Sequence, residues 1–218
     1  MTATALEVYD AGLLQASSAG APASLPGWRL RYADGSHAPI DLAAWCLPRP
    51  GDDQLLEAAT GAVLDVGCGP GRLTAALTRR GTAALGIDIS AMAVQLTRAT
   101  GAAALRRSVF ARLPGTSRWD TVLLADGNIG IGGDPVALLA RVRDLLAPDG
   151  RALVELDHHG TGRTVVVRLE NDEGDASGWF RWAHVGPPGL ESLAHKAGLR
   201  TRRVWAAHDR WFAEVVLS

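Results

Sequence analysis

Lysine is almost missing from this chain. Lys196 stands alone, and the other strongly basic residues are arginines. A phosphate-binding loop of the G-x-x-x-x-G-K-[ST] kind needs a lysine beside its glycines, so that chemistry is excluded. Charge of either sign is also in balance, with a formal net charge of −1. A broad nucleic-acid surface is therefore not expected. Cysteine is scarce: Cys46 and Cys68 make no disulfide framework and suit a reducing cytoplasm. No apolar run approaches the roughly 20 residues that span a bilayer. The start, "MTATALEVYD", has neither a basic region nor an apolar core of a secretory signal. A cytoplasmic protein with no membrane partner is the expectation.

What is present is apolar bulk: 47% of the 218 residues are hydrophobic, enough for one sizeable packed body. Residues 1–50 are punctuated by Pro22, Pro26, Pro39, Pro48 and Pro50, with Trp28, Tyr32 and Trp45 between them. They read as irregular or partly helical: a segment docked on the main body, or a lid on the substrate side. From residue 51 to 218 the pattern becomes regular. "DDQLLEAAT" reads as a helix, "AVLDVG" as a buried strand, and "RLTAALTRRG" as a helix closed by Gly81. "AALGIDI", "AALRRSVF", "WDTVLLAD" and "RALVELD" continue the strands. Ser90 and Asp134 are placed to cap the helices that follow them, with Pro135 at the first helical position. Apolar strands alternating with helices predict an α/β fold, a doubly wound, mostly parallel sheet covered on both faces. "TVVVRLEN" and "WFRWAHVG" around the turn "DEGDASG" read as a β-hairpin inserted at about 161–186. A short helix and a closing pair of strands follow.

Two glycine-rich stretches stand out, "VLDVGCGPGR" at 63–72 and "VLLADGNIGIGGDP" at 122–135. The first follows a strand and opens a helix, where glycines let backbone approach a ligand. Its G-x-G-x-G spacing does not fit the G-x-G-x-x-G of a nicotinamide-dinucleotide turn. Asp88, at the end of the second strand, supplies a carboxylate for the ribose hydroxyls of an adenosine-bearing cofactor.

D-V-G-C-G-P-G after the first strand, with "LGIDIS" after the second, resembles the class I S-adenosylmethionine-dependent methyltransferases, over about residues 52–157. The resemblance implies a seven-stranded sheet of order 3-2-1-4-5-7-6 and S-adenosyl-L-methionine as cofactor, leaving S-adenosyl-L-homocysteine. By matching position it implies Asp65, Gly67, Cys68, Gly69 and Gly71 on the methionine side, Asp88 at the ribose, and Ile89, Val109 and Phe110 around the adenine. "RRSVFAR" lacks the carboxylate that often receives the adenine amine. The second glycine stretch then forms the opposite wall of the crevice, with Asn128 and Asp126 toward the methionine moiety or the acceptor. Cys68 reads more simply as a small buried residue than as a reactive thiol.

Methyl transfer from a sulfonium depends mainly on positioning, worth about 7–11 kcal/mol, while a general base adds about 10²–10⁴-fold. His158 and His159 follow the fifth strand at the ligand-binding edge and are the candidate bases, with Asn128 beside them as a catalytic candidate. Their plainer reading is loop residues with satisfied hydrogen bonds. His37 and His184 are secondary candidates; His195 and His208 read as structural. Asp126 and Asp157 lie where some catechol-type relatives hold magnesium, but the rest of that pattern is unmatched and no metal is expected. The chain lacks the G-x-S-x-G elbow of hydrolases and the "NPPY" or "DPPY" segment of amino-methylating enzymes. The reading is a methyltransferase for a small-molecule acceptor, O-methylation before N- or C-, acting as a monomer or homodimer. A cofactor-binding sensor or partner subunit, and a nicotinamide-dependent reductase, are the alternatives. Trp179, Phe180 and Trp182 alternate, so Phe180 and Trp182 share a face.

Overall fold

Alternation along the strands feeds two separate cores. Val63 packs with Leu55, Leu73, Leu77, Leu123, Leu153 and Phe212 on one face of the main sheet. Leu64 and Val66 pack with Val122, Leu124, Leu138, Leu139, Val154 and Val215 on the other. With both faces buried, each strand must be apolar at successive positions, which is why the central strands read as continuous runs.

The structure is a computed structural model that describes residues 4–18, 27–158 and 160–218. In chain order come α1 (Ala5–Ser18), β1 (Trp28–Tyr32), β2 (His37–Ile40), α2 (Asp52–Ala58), β3 (Val63–Val66) and α3 (Arg72–Arg79). There follow β4 (Ala84–Asp88), α4 (Ala91–Ala99), β5 (Ala103–Arg106), β6 (Trp119–Leu124), α5 (Pro135–Leu145) and β7 (Leu146–Leu156). The chain closes with β8 (Thr161–Asn171), β9 (Phe180–Val185), α6 (Pro187–Lys196), β10 (Leu199–Ala207) and β11 (Arg210–Leu217). The main sheet runs β5-β4-β3-β6-β7-β11-β10, the expected order 3-2-1-4-5-7-6. Its pairings are parallel from β5 to β7, and β11 lies antiparallel to both β7 and β10. Ser90 and Asp134 cap α4 and α5 as expected, each accepting from an amide three residues on. No helix among the described residues is long and apolar enough to cross a membrane.

The N-terminal residues differ from their sequence reading. Residues 28–32 and 37–40 are strands, and with β8 and β9 they form a second, antiparallel sheet of order β2-β1-β8-β9. The hairpin at 161–186 is thus half of a four-stranded sheet. "WRLRY" carries the two-residue alternation of a strand but is only five residues long among prolines, too short to stand out. Its Trp28 and Leu30 join Val8, Leu42, Leu169 and Phe180 in a third core beneath α1. Arg29 and Arg31 turn the other way and pair with Glu170 at 2.8 and 2.9 Å. The third strand is also shorter than expected, ending at Arg106, so Val109 and Phe110 fall in the turn beyond it.

The second sheet is fitted to the main body where β9 lies along the Asn128–Gly133 segment, a 3-10 turn that kinks at Ile131 and Gly132. Gly133 faces Arg181 and Trp182, and Gly130 faces Trp182 and Ala183. A methyl at Gly130 would overlap the Ala183 carbonyl oxygen and the Trp182 indole. Gly130→Ala should therefore cost about 1–3 kcal/mol, lowering the melting temperature by roughly 2–12 °C. An unchanged melting temperature in calorimetry would show that the two parts do not fit together in this way.

Candidate functional site

The first glycine stretch is a tight turn over the end of β4. The amides of Gly67 and Cys68 both donate to the Ile87 carbonyl, at 2.8 and 3.0 Å. Gly71 has φ +89°, and a side chain there would meet Thr97 on α4, including its backbone Cα at 2.8 Å. Only glycine allows both that left-handed turn and that close approach. Cys68 is buried, its sulfur 3.7 Å from the Thr97 hydroxyl, and burial pushes its thiol well above the ordinary range. That is the setting of an inert packing residue.

Asp88 binds this turn from the neighbouring strand. Its Oδ2 accepts the Gly69 amide at 3.0 Å and its Oδ1 the Ser90 amide at 2.8 Å. Burial raises the Asp88 carboxyl above its usual range, and the two amides partly offset this. Ile89, next in the chain, is 56% exposed, and Phe110, in the turn beyond β5, is 48% exposed, with its ring facing Gly132. Val109 is buried in the core. The carboxylate absent from the end of β5 is replaced by Arg106, whose Nε donates to the Ile89 carbonyl at 3.1 Å.

Helix α1 covers this corner. The Tyr9 hydroxyl lies 3.4 Å from where a Gly69 Cβ would be, and its ring meets Trp45 edge-on at 6.0 Å. Burial, then the charge of Asp88, holds the Tyr9 phenol well above its ordinary value. The Ser90 hydroxyl donates to Asp10, fixing α1 to the start of α4. Neither Tyr9 nor Asp10 was singled out from sequence. Both lie in a helix without a motif, and only the folded chain brings them to Gly69 and Ser90.

The opposite wall is built around Asn128. Its Nδ2 donates to the carbonyls of Val66 and Gly67, both at 3.0 Å, joining the two glycine stretches. Asp126 has φ +52°, a left-handed conformation that aspartate tolerates better than most residues. Its amide donates to Glu155 at 2.6 Å, and its carboxylate accepts from Arg49 at 2.7 Å and Arg72 at 2.6 Å. Arg72 also pairs with Asp52, and Arg210 bridges Asp52 at 2.9 Å and Glu155 at 2.8 Å. Three arginines thus meet three carboxylates. Sequence reasoning reached only Asp126; a glutamate inside the apolar run "RALVELD" was the available signal for Glu155.

Asp65 sits under the turn, fully buried, accepting the Thr74 hydroxyl at 2.6 Å. Burial pushes its carboxyl up to about 6. Among the catalytic candidates, His158 is an exposed bend residue and His159 lies outside the described residues. His37 is exposed. His184 is the histidine that the fold embeds in a chain of side chains: its Nδ1 is 3.1 Å from Asp157, and its Nε2 2.9 Å from the Tyr32 hydroxyl. Among the described residues, no three His, Cys, Asp or Glu side chains are grouped to hold a metal.

Two outcomes follow from the buried charges. Arg210→Ala leaves Glu155 and Asp52 short of a partner and should cost about 3–5 kcal/mol, measured by urea unfolding; a loss under 1 kcal/mol would mean the network is not closed. For Asp65, the folded chain keeps its proton between roughly pH 4 and 6 while the unfolded chain loses it. Stability therefore falls as pH rises across that window, by about 3 kcal/mol for a shift of this size. Asp65→Asn should abolish that fall in melts taken at pH 4 and 6.5. A variant with the wild-type slope would contradict the assignment.

Comparisons with known proteins agree with this fold. Residues 63–150 match a methyltransferase domain family. A comparison with curated proteins gave no match. Among solved structures, a SAM-dependent methyltransferase from Bacteroides fragilis, in complex with S-adenosyl-L-homocysteine, superposes with a TM-score of 0.79 at 20% identity, covering 99% of this chain and 96% of that one. The CcbJ methyltransferase of Streptomyces caelestis gives 0.59 at 16% identity, covering 80% and 92%. The 1,6-didemethyltoxoflavin-N1-methyltransferase of Burkholderia thailandensis gives 0.55 at 22% identity, covering 79% and 77%. Residues 63–150 thus match a methyltransferase domain, and the strand order is that of the class I S-adenosylmethionine-dependent methyltransferase fold.

Proposed function

We propose that this protein transfers the methyl group of S-adenosylmethionine to a small-molecule acceptor, by in-line displacement governed mainly by positioning. The observation that carries the reading is the Asp88 corner. A buried carboxylate accepts one amide on each oxygen and keeps lone pairs for two ribose hydroxyls. The exposed faces of Ile89 and Phe110 suit the two sides of an adenine. The donor set therefore fits the cofactor. Gly67, Cys68, Gly69 and Gly71 would run along its methionine end, with Asp65 beneath them, Asn128 holding the carbonyls of Val66 and Gly67, and Asp126 at the edge of the arginine network.

The bound cofactor supplies an activated sulfonium methyl. The chain supplies the rest: α1 with Tyr9 covers the glycine turn and excludes water, and the Asn128–Gly133 segment sets the far wall. An acceptor held about 3–3.5 Å from the methyl carbon reacts without further activation if it has a free lone pair. The similarity to an N1-methyltransferase acting on 1,6-didemethyltoxoflavin supports a small heteroaromatic or aromatic acceptor. So does Trp182, partly exposed on β9.

Isothermal calorimetry tests this. S-adenosylmethionine should bind, and NADH should not. Asp88→Ala should weaken binding by about 1–3 kcal/mol, roughly five- to 150-fold in Kd. Binding of NADH in place of S-adenosylmethionine would overturn the reading. Binding without formation of S-adenosylhomocysteine from any acceptor would reduce it to a cofactor sensor.

A further inference from the structure

The Tyr32, His184 and Asp157 side chains come from three separated parts of the chain and form one hydrogen-bonded line. Asp157 follows β7, His184 is on β9, and Tyr32 ends β1. Asp157 Oδ2 lies 3.1 Å from His184 Nδ1 and also accepts the Val185 amide at 3.0 Å. It is therefore anchored and oriented. An aspartate on Nδ1 fixes the proton there and leaves Nε2 as the acceptor, to which the Tyr32 hydroxyl donates across 2.9 Å. The phenol oxygen at the end of the line then has lone pairs free for another hydroxyl. The line is half-buried, with side-chain exposures of 26% for His184 and 33% for Asp157.

Its position is on the acceptor side of the site. Asp157 follows β7, the strand beside β6, whose end carries Asp126 and Asn128. β9 runs along the Asn128–Gly133 wall: Arg181 and Trp182 lie at Gly133, Trp182 and Ala183 at Gly130, so the next residue, His184, continues toward the start of that wall. Tyr32 is in register with Val167, and Val167 with Phe180, while Phe180, Trp182 and His184 lie two apart along β9. All therefore share one face of the second sheet. That face also holds Trp28 and Leu30, which pack against α1, the helix that carries Tyr9 to the glycine turn. One sheet face thus covers the cofactor corner at one end and presents an aromatic wall with a proton acceptor at the other.

We infer that Tyr32, His184 and Asp157 form a proton relay that deprotonates an aromatic hydroxyl acceptor during methyl transfer, a step that rests on the methyltransferase reading. In this step the acceptor oxygen forms a bond to the methyl carbon as the bond from carbon to sulfur breaks, and the sulfonium becomes a neutral thioether. The acceptor proton passes to the Tyr32 oxygen, the Tyr32 proton passes to His184 Nε2, and the imidazolium is held beside the Asp157 carboxylate until water removes the proton. Tyr32 is the group that touches the acceptor; His184 and Asp157 act through it. The other charged groups facing the line are Arg163 on β8, opposite His184, and Asp34 in the turn after β1, both near the Tyr32 phenol. Burial and then Asp157 hold that phenol above its ordinary value.

The experiment uses full-length protein loaded with S-adenosylhomocysteine, and 4-nitrophenol as the probe at a pH where the free phenol is mostly protonated. Loading is first confirmed by calorimetry; failure at that stage overturns the cofactor reading and this inference with it. With the cofactor product bound, wild-type protein should bind the probe and develop the yellow phenolate band. The ring nitrogens of His184 should then shift, in nitrogen NMR, to the doubly protonated form. Tyr32→Phe should lose the band by tenfold or more while still loading S-adenosylhomocysteine, and His184→Gln should do the same. His195→Asn, on the exposed side of α6, should match wild type. No probe binding to the loaded protein, a phenolate band that survives in both variants, or a His184 ring that stays neutral with probe bound would each overturn the relay and leave the cofactor site standing. A merely structural hydrogen bond would change stability in the variants but not the probe's ionisation.

Discussion

Six charged side chains, Arg49, Arg72 and Arg210 with Asp52, Asp126 and Glu155, form the junction on which the site depends. They join the start of α2, the start of α3, the ends of β6 and β7, and the start of β11. Buried ions are costly to desolvate and stabilise a fold only when paired and hydrogen-bonded throughout. Here the charges balance, three against three, and Arg210 meets both Glu155 oxygens at 2.8 Å, while the buried Nε of Arg72 is left without a hydrogen-bond partner among the described residues. Burial opposes the Arg210 charge, but its bonds to Glu155 outweigh that and hold the guanidinium above its ordinary value. What the junction secures is direction. It holds Asp126 in a left-handed conformation, which turns the chain out of β6 so that Asn128 points back onto the glycine turn.

From that turn the rest of the architecture follows. Asn128 ties the wall to the cradle, and Gly130 and Gly133 let β9 lie directly on the wall. The second sheet is therefore built onto the ligand edge of the first. Its inner face carries α1 over Gly69 and Asp88, and brings Tyr32 and His184 to Asp157 at the end of β7. On the proposed function, the cofactor side and the acceptor side would be two ends of one roof, divided at the Asn128–Gly133 segment.

The main sheet was legible because its strands are buried on both faces and its helices end on glycine or start on Ser90 and Asp134. Local chemistry announces such elements. The glycine turn and Asp88 were legible for the same reason: loop and carboxylate each follow a recognisable strand. The second sheet was not, because β1 has only the five residues "WRLRY" and its stability comes from β8, more than a hundred residues away in sequence. Nor was the arginine junction, since ion pairs between distant segments leave no local pattern. The histidines show the difference most clearly. His158 and His159 drew notice by following the fifth strand, whereas the adjacent Asp157 and the distant His184 are the pair the fold brings together.

In the proposed function the Asp88 corner holds the adenosine of the cofactor, with the methyl directed to the wall that β9 covers. A crystal structure with S-adenosylhomocysteine tests it most directly. The ribose hydroxyls should lie on Asp88, the adenine between Ile89 and Phe110, and the sulfur toward Asn128. A nucleoside bound elsewhere, or a ribose that leaves Asp88 contacting only Gly69 and Ser90, would contradict it.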